Sequence, residues 1–189
     1  MSRGTLTLIR GCMFAGKTAR LIERLLAAQA RGESPRAFKH ALDGRYSPGA
    51  LATHDGRTFP AQELSDAAEL HTAILAAAPA LVAVDEVQFF GEAMVSLCRE
   101  LRDAGYGLLL AGIDFDTWGQ PFSPLPDLAR VADEVVTLSI PCGICGRPAR
   151  LNQRMTPILQ GNLVGGPGDY APRCHSCFTP ATPASCALT

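Results

Sequence analysis

The run "GCMFAGKT" sets Gly11, Gly16, Lys17 and Thr18 at the spacing G-x-x-x-x-G-K-[ST]. Binding a phosphate needs this arrangement. Glycines let the backbone turn tightly, so that successive N–H groups across Cys12, Met13, Phe14 and Ala15 point inward at phosphate oxygens. Lys17 adds a point charge, the Thr18 hydroxyl is the magnesium ligand, and the helix that follows offers its positive end. The alternative is a chance glycine-rich turn. An apolar strand before the motif and an amphipathic helix after it supply the context that phosphate binding demands.

A phosphate loop needs a second acid for its magnesium, normally an aspartate that ends a neighbouring apolar strand. In "ALVAVDEVQFF", Asp85 meets that description and Glu86 follows it directly. Side chains alternate along an extended chain, so Glu86 points elsewhere than Asp85. Two jobs separate: Asp85 toward metal, Glu86 toward whatever attacks a γ-phosphate, as a general base. Otherwise Glu86 caps the next turn or faces solvent. The attacking group is water in an ATPase and a substrate hydroxyl in a kinase, and the dipeptide does not choose. Phe89 and Phe90 suit a small aromatic-lined pocket or simple core packing.

Seven cysteines form a third constellation. Cys142/Cys145 and Cys174/Cys177 are C-x2-C pairs with 28 residues between them, while Cys12, Cys98 and Cys186 stand apart. An odd total with two such pairs argues for metal over a disulfide framework. Four thiolates suit a structural tetrahedral zinc, which leaves no open position for chemistry. His175 is a competitor to Cys177 as fourth ligand, and a redox role for either pair is the other reading. A nucleic-acid-binding ribbon is opposed by "ILQGNLVGGPGDYAP", which lacks interleaved basic and aromatic residues.

These residues need a scaffold. "TLTLIR" reads as a strand, and from Thr18 the helical period puts Leu21, Ile22, Leu25 and Leu26 on one face, with Gly32 as the stop. "RAFKH" reads as a second strand, Asp43 to Pro60 as a loop, and "ELSDAAELHTAILAAA" as a helix closed by Pro79. The strand "ALVAV" follows, then a helix over "EAMVSLCRELRDAG" and the strand "GLLLAGI". A loop through "DFDTWGQPFSPLP" and the strand "EVVTLSI" complete the pattern. Strands alternating with helices predict an α/β fold: a P-loop-type parallel sheet flanked by helices. Composition changes near Pro141. We expect a nucleotide-binding domain over 1–140, a small zinc-binding lid domain over 141–178 and a disordered tail over 179–189.

With 189 residues, 47% of them apolar, and a net charge of -1, the chain has the make-up of an ordinary globular protein. It has no basic footprint for nucleic acid or an anionic membrane. No apolar run reaches the roughly 20 residues that cross a bilayer, and the N-terminus lacks a signal-peptide pattern, so a cytoplasmic location is expected.

Together, the phosphate loop, "DGRYSPGALATHDG", "DEVQFF", "GIDFDTWGQPF" and "LVGGPGDYAPRCHSC" closely resemble the type II thymidine kinases, in the same order and from about Gly4 to Phe178. The resemblance implies transfer of the γ-phosphate of ATP to the 5′-hydroxyl of thymidine, with magnesium, in salvage for DNA synthesis. Glu86 matches the family's catalytic base and Asp85 its magnesium-associated aspartate. Asp43 and Arg45 match loop residues near the phosphates and the reacting hydroxyl. Phe89, Ile113 and Phe122 match the base pocket. Leu163, Val164, Gly165, Gly166 and Tyr170 belong to a lasso-like loop that folds over thymine. Asn152 stands where many members carry a threonine facing the base. The resemblance also implies a homotetramer inhibited by thymidine triphosphate. An ATPase with a structural zinc lid is the other reading; a GTPase is disfavoured because no N-K-x-D motif occurs.

Overall fold

The computed structural model describes residues 3–43, 49–53, 55–156 and 168–180. Its centre is a seven-stranded sheet. The strands are β1 (Leu6–Gly11), β2 (Pro35–His40), β3 (Ala50–Ala52), β4 (Thr58–Leu64), β5 (Leu81–Asp85), β6 (Gly107–Ile113) and β7 (Glu134–Thr137). Their order is β3-β4-β2-β5-β6-β1-β7, and every pairing is parallel except β3 with β4.

The inner strands bury both faces, which is why they read as continuous apolar runs. Leu6, Leu8, Val82, Val84, Leu108 and Leu110 face α2 (Ala67–Ala77), α3 (Ala93–Asp103) and α4 (Leu125–Val131). Ile9, Ala83, Leu109 and Ala111 face α1 (Lys17–Ala30) on the other side. The period of two along each strand thus fills two cores, one per face. Helix α1 contributes Leu21, Ile22, Leu25 and Ala28. Leu26, expected on that face, is 47% exposed, because Ala28 takes the next inward position.

Three features differ from the sequence-based expectation. The stretch Asp43 to Pro60 is not all loop: β3 and the start of β4 form an antiparallel hairpin there, pairing Leu51 with Phe59. The two side chains enter the core beside α1, so tertiary burial overrides the loop-like composition. Helix α2 therefore starts later than predicted, at Ala67, with the Asp66 carboxylate accepting from the N–H groups of Ala68 and Glu69. The short helix α4 interrupts what read as an unbroken link to β7.

Residues 140–180 carry no helix among the described residues. They form two small ladders, β8 (Ile140–Pro141) with β9 (Pro148–Ala149), and β10 (Leu151–Arg154) with β11 (Tyr170–Arg173). No described helix is long and apolar enough to cross a membrane.

Candidate active site

Strand β1 delivers the phosphate loop to the C-terminal end of the sheet. Gly11 has φ 155°, and a Cβ there would lie 2.4 Å from the Leu138 carbonyl oxygen, so only glycine fits. Gly16, at φ 82°, turns the chain into α1. Lys17 is buried, and its Nζ donates to the Cys12 carbonyl at 2.9 Å. The loop therefore already curls around its own lysine.

The second acid arrives by a different route from the one expected. Strand β5 is not the neighbour of β1: β6 lies between them. Thr18, in the first turn of α1, still joins the two motifs. The Thr18 hydroxyl donates to Asp85 Oδ2 at 2.8 Å, while Asp85 Oδ1 accepts from the Glu86 N–H at 3.0 Å. Asp85 is 2% exposed, and burial, then the adjacent Glu86, push its carboxyl up to about 7, against the lowering hydrogen bond from Thr18. A carboxyl in that state is poised for a cation, which would restore its ionised form.

Glu86 adopts the left-handed conformation, φ 50° and ψ 45°, at the start of a 3-10 turn over Val87–Phe90. That turn, more than strand alternation, separates its direction from that of Asp85. Gln88 Nε2 donates to Glu86 Oε2, and Gln88 Oε1 accepts from the Ile113 N–H at 3.3 Å. Gly112 makes room, since a Cβ there would meet Gln88 Oε1 at 2.9 Å. Gln88 was not singled out from sequence; a buried amide two residues after a candidate base was the available signal.

Lys17, Thr18, Asp85 and Glu86 line one cavity of about 290 Å³, together with Met13, Phe14 and Asp43. The β3–β4 hairpin adds Thr53, Asp55 and Arg57 to the cavity lining, none of which was singled out as a site residue from sequence. The hairpin is tied to α1, with Arg57 pairing with Asp55 at 3.0 Å and with Glu23 at 3.3 Å. Arg45 lies outside the described residues.

A second, smaller cavity adjoins Met13. Ile113, Phe122, Asn152 and Tyr170 line it, as do Phe115, Asp116 and Thr117 from the loop after β6. Arg154 lies over the Tyr170 ring at 4.8 Å. Phe89 is half-buried, with its ring 5.9 Å from that of His40, and is not among the residues lining this cavity. Phe90 packs in the core. Leu163, Val164, Gly165 and Gly166 lie outside the described residues.

The cysteine module is fastened to both motifs. Asn152 Oδ1 accepts from the Met13 N–H at 2.7 Å, and Asn152 Nδ2 donates to the Phe115 carbonyl at 3.2 Å. Arg150 donates to Asp114 Oδ2 at 2.6 and 3.1 Å, and Arg10 approaches the other oxygen at 3.5 Å. The Cys12 thiol donates to the Ala149 carbonyl at 3.4 Å.

The ligand sulfurs of Cys142, Cys145, Cys174 and Cys177 all lie within 4.8 Å of one another. A tetrahedral zinc with Zn–S of about 2.3 Å sets its sulfurs ~3.8 Å apart, so the group is compatible with one ion after slight contraction. Backbone N–H groups, that of Cys174 foremost, lower Cys142 to about 6. Arg147 lowers Cys145, donating to its Sγ at 3.4 Å. Both shifts favour the thiolate that metals bind. His175 instead sets its ring edge-on to Phe115, at 5.8 Å and 87°.

A glycine-formed phosphate loop at the end of a strand of a mostly parallel sheet, with a buried aspartate on its threonine, defines a P-loop nucleotide-binding α/β protein. The cysteine module narrows that class, and residues 4–178 match the family model described as thymidine kinase. The chain belongs to the thymidine kinase family. It is 37% identical over 185 residues to a thymidine kinase of Rhodothermus sp. (strain ITI 518), covering 97% of this chain and 85% of that protein. It is 38% identical over 192 residues to a thymidine kinase of Deinococcus deserti, covering 92% and 94%. Among solved structures, the genome packaging NTPase B204 from Sulfolobus turreted icosahedral virus 2, in complex with ATP-gammaS, aligns with a TM-score of 0.46. It is 16% identical over 72% of this chain and 75% of that one, a likeness too low to carry an argument.

Proposed function

We propose that this chain transfers the γ-phosphate of ATP to the 5′-hydroxyl of thymidine. The observation that carries the reading is the meeting of Thr18 with Asp85 in the cavity that Glu86 also lines. Family membership supports the choice of acceptor.

In this mechanism the phosphate loop and Lys17 hold the triphosphate, with Asp43 and Arg45 beside the transferring group. Thr18 and Asp85 would hold magnesium, which would neutralise developing negative charge. The nucleoside's 5′-oxygen attacks the γ-phosphorus. The bond from phosphorus to the β–γ bridging oxygen breaks, and its electron pair leaves with ADP. The hydroxyl proton passes to the Glu86 carboxylate, which Gln88 orients. Ile113, Phe122, Asn152 and Tyr170 surround the base, with Phe89 nearby. On the family resemblance, the segment with Leu163 to Gly166 would cover the base and exclude water, which otherwise competes as acceptor.

The four cysteines hold a structural zinc that anchors both ends of this closing segment. The strands leaving and re-entering it are paired, Arg154 with Tyr170, and Thr156 Oγ1 donates to Asp169 at 2.8 Å. The reading divides the chain at residues 140 and 141, with the tail after 178 outside both domains. A cytoplasmic homotetramer inhibited by thymidine triphosphate completes it, on the family resemblance alone.

The test is a panel of nucleosides with ATP and magnesium, each product identified. Thymidine monophosphate should form, with little ATP hydrolysis when nucleoside is withheld. Nucleoside-independent hydrolysis would favour an ATPase instead.

A further inference from the structure

The small cavity contains one polar group that the fold leaves unserved. Thr117 is 4% exposed, and its hydroxyl has no hydrogen-bond partner among the described residues. Leaving a buried hydroxyl unpaired costs on the order of several-fold to a hundredfold in the folding equilibrium. Local structure offers it no escape. Asp116 Oδ1 accepts from the N–H groups of Trp118 at 2.9 Å and Gln120 at 2.8 Å, so the turn carrying Thr117 is pinned on its C-terminal side. The Phe122 N–H donates to the Asp114 carbonyl at 2.9 Å and closes the loop. Beneath it, Gly119 approaches Phe178 so closely that a Cβ would lie 2.7 Å from that ring.

Asn152, expected to face the base, already makes one bond through each of its polar atoms. Its oxygen serves Met13 and its nitrogen serves Phe115. Breaking either bond to meet a ligand would leave a backbone group unpaired instead.

We propose that Thr117 is a base-binding residue: its hydroxyl makes a hydrogen bond to the polar edge of the pyrimidine base. The inference rests on the cavity being the nucleoside site. A bound base would satisfy the hydroxyl that packing leaves unpaired. A hydroxyl both donates and accepts, so it can meet a ring carbonyl of thymine or uracil or the exocyclic amine of cytosine.

Thr117→Val is nearly isosteric and removes only the hydroxyl. Two shifts of opposite sign are expected. The nucleoside-free protein gains about 2–4 °C or more in melting temperature, since an unpaired buried group is gone. The KM for thymidine rises about 5- to 30-fold with the KM for ATP unchanged. Thr117→Ser keeps the hydroxyl and should return the thymidine KM to near the wild-type value. A hydroxyl with a purely structural role would give a lower melting temperature and an unchanged thymidine KM, and either result overturns the proposal. A Val variant that does not fold overturns it equally, because the hydroxyl would then have a partner in the fold. Wild-type protein that makes no thymidine monophosphate refutes the kinase reading itself, before any variant is compared.

Discussion

Asn152, on a strand of the cysteine module, accepts the backbone N–H of Met13 inside the phosphate loop at 2.7 Å. This one amide connects the two parts of the chain that the sequence presents as separate motifs, 139 residues apart. It is also buried, so water does not substitute for it. Asn152→Leu should therefore weaken binding of a non-hydrolysable ATP analogue by about fivefold or more, the worth of one buried hydrogen bond. Calorimetry without nucleoside checks this. Unchanged nucleotide affinity would mean that the phosphate loop holds its shape without the module.

Glu86 should be separable from nucleotide binding. Glu86→Gln keeps the shape of the turn and removes the proton acceptor. ATP affinity stays within a few-fold, and phosphoryl transfer falls by a factor on the order of 10² to 10⁴. Rapid-quench measurement of a single turnover reads the step directly. Near-normal turnover would remove Glu86 from the role of base.

Lys17 is folded back onto the Cys12 carbonyl, so it shapes the loop as well as meeting phosphate. Lys17→Ala should abolish detectable transfer. An active variant would show that the loop is not the phosphate cradle.

Asp85 makes the site pH-dependent. Its folded pKa, pushed up to about 7, lies above the roughly 3.9 of an unfolded aspartate. The stability it contributes is thus fully present below about pH 4 and is lost as pH rises through about 7. Magnesium requires the ionised carboxylate, so magnesium–nucleotide affinity should fall as pH drops below 7, approaching tenfold per unit. Titrations at several pH values test this, and Asp85→Asn should flatten the profile. A wild-type affinity that is level from pH 8 to 6 would contradict the assignment.

The four cysteines should hold about one zinc per chain, measured by metal analysis of the purified protein. Replacing Cys145 with serine should lower zinc retention and the melting temperature together, because binding on the order of 10 kcal/mol is at stake in such sites. A folded, active and zinc-free preparation would contradict the anchoring role.

Much of this site follows from short-range rules. Gly11, Gly16, Lys17 and Thr18 act through backbone conformation and nearest neighbours, so their spacing identifies the phosphate loop without a structure. The inner strands announce themselves because both faces are buried, and each C-x2-C pair forms its own turn, as in the Cys177 N–H donating to the Cys174 carbonyl at 3.0 Å. Those features depend on residues close in sequence.

The tertiary structure decided what depends on distant partners. Strand β3 and the start of β4 lie in a glycine- and proline-rich stretch, and only the core beside α1 makes Leu51 and Phe59 worth burying. The strand between Asp85 and the phosphate loop is set by sheet order, which alternating elements do not specify. Asn152 is polar and near the base cavity by either route, yet its bonds to Met13 and Phe115 arise from how the module docks. Thr117 has no local signature at all. Its hydroxyl becomes conspicuous because packing has surrounded it and given it no partner among the described residues, and that is a property of the folded interior, not of any short stretch of chain.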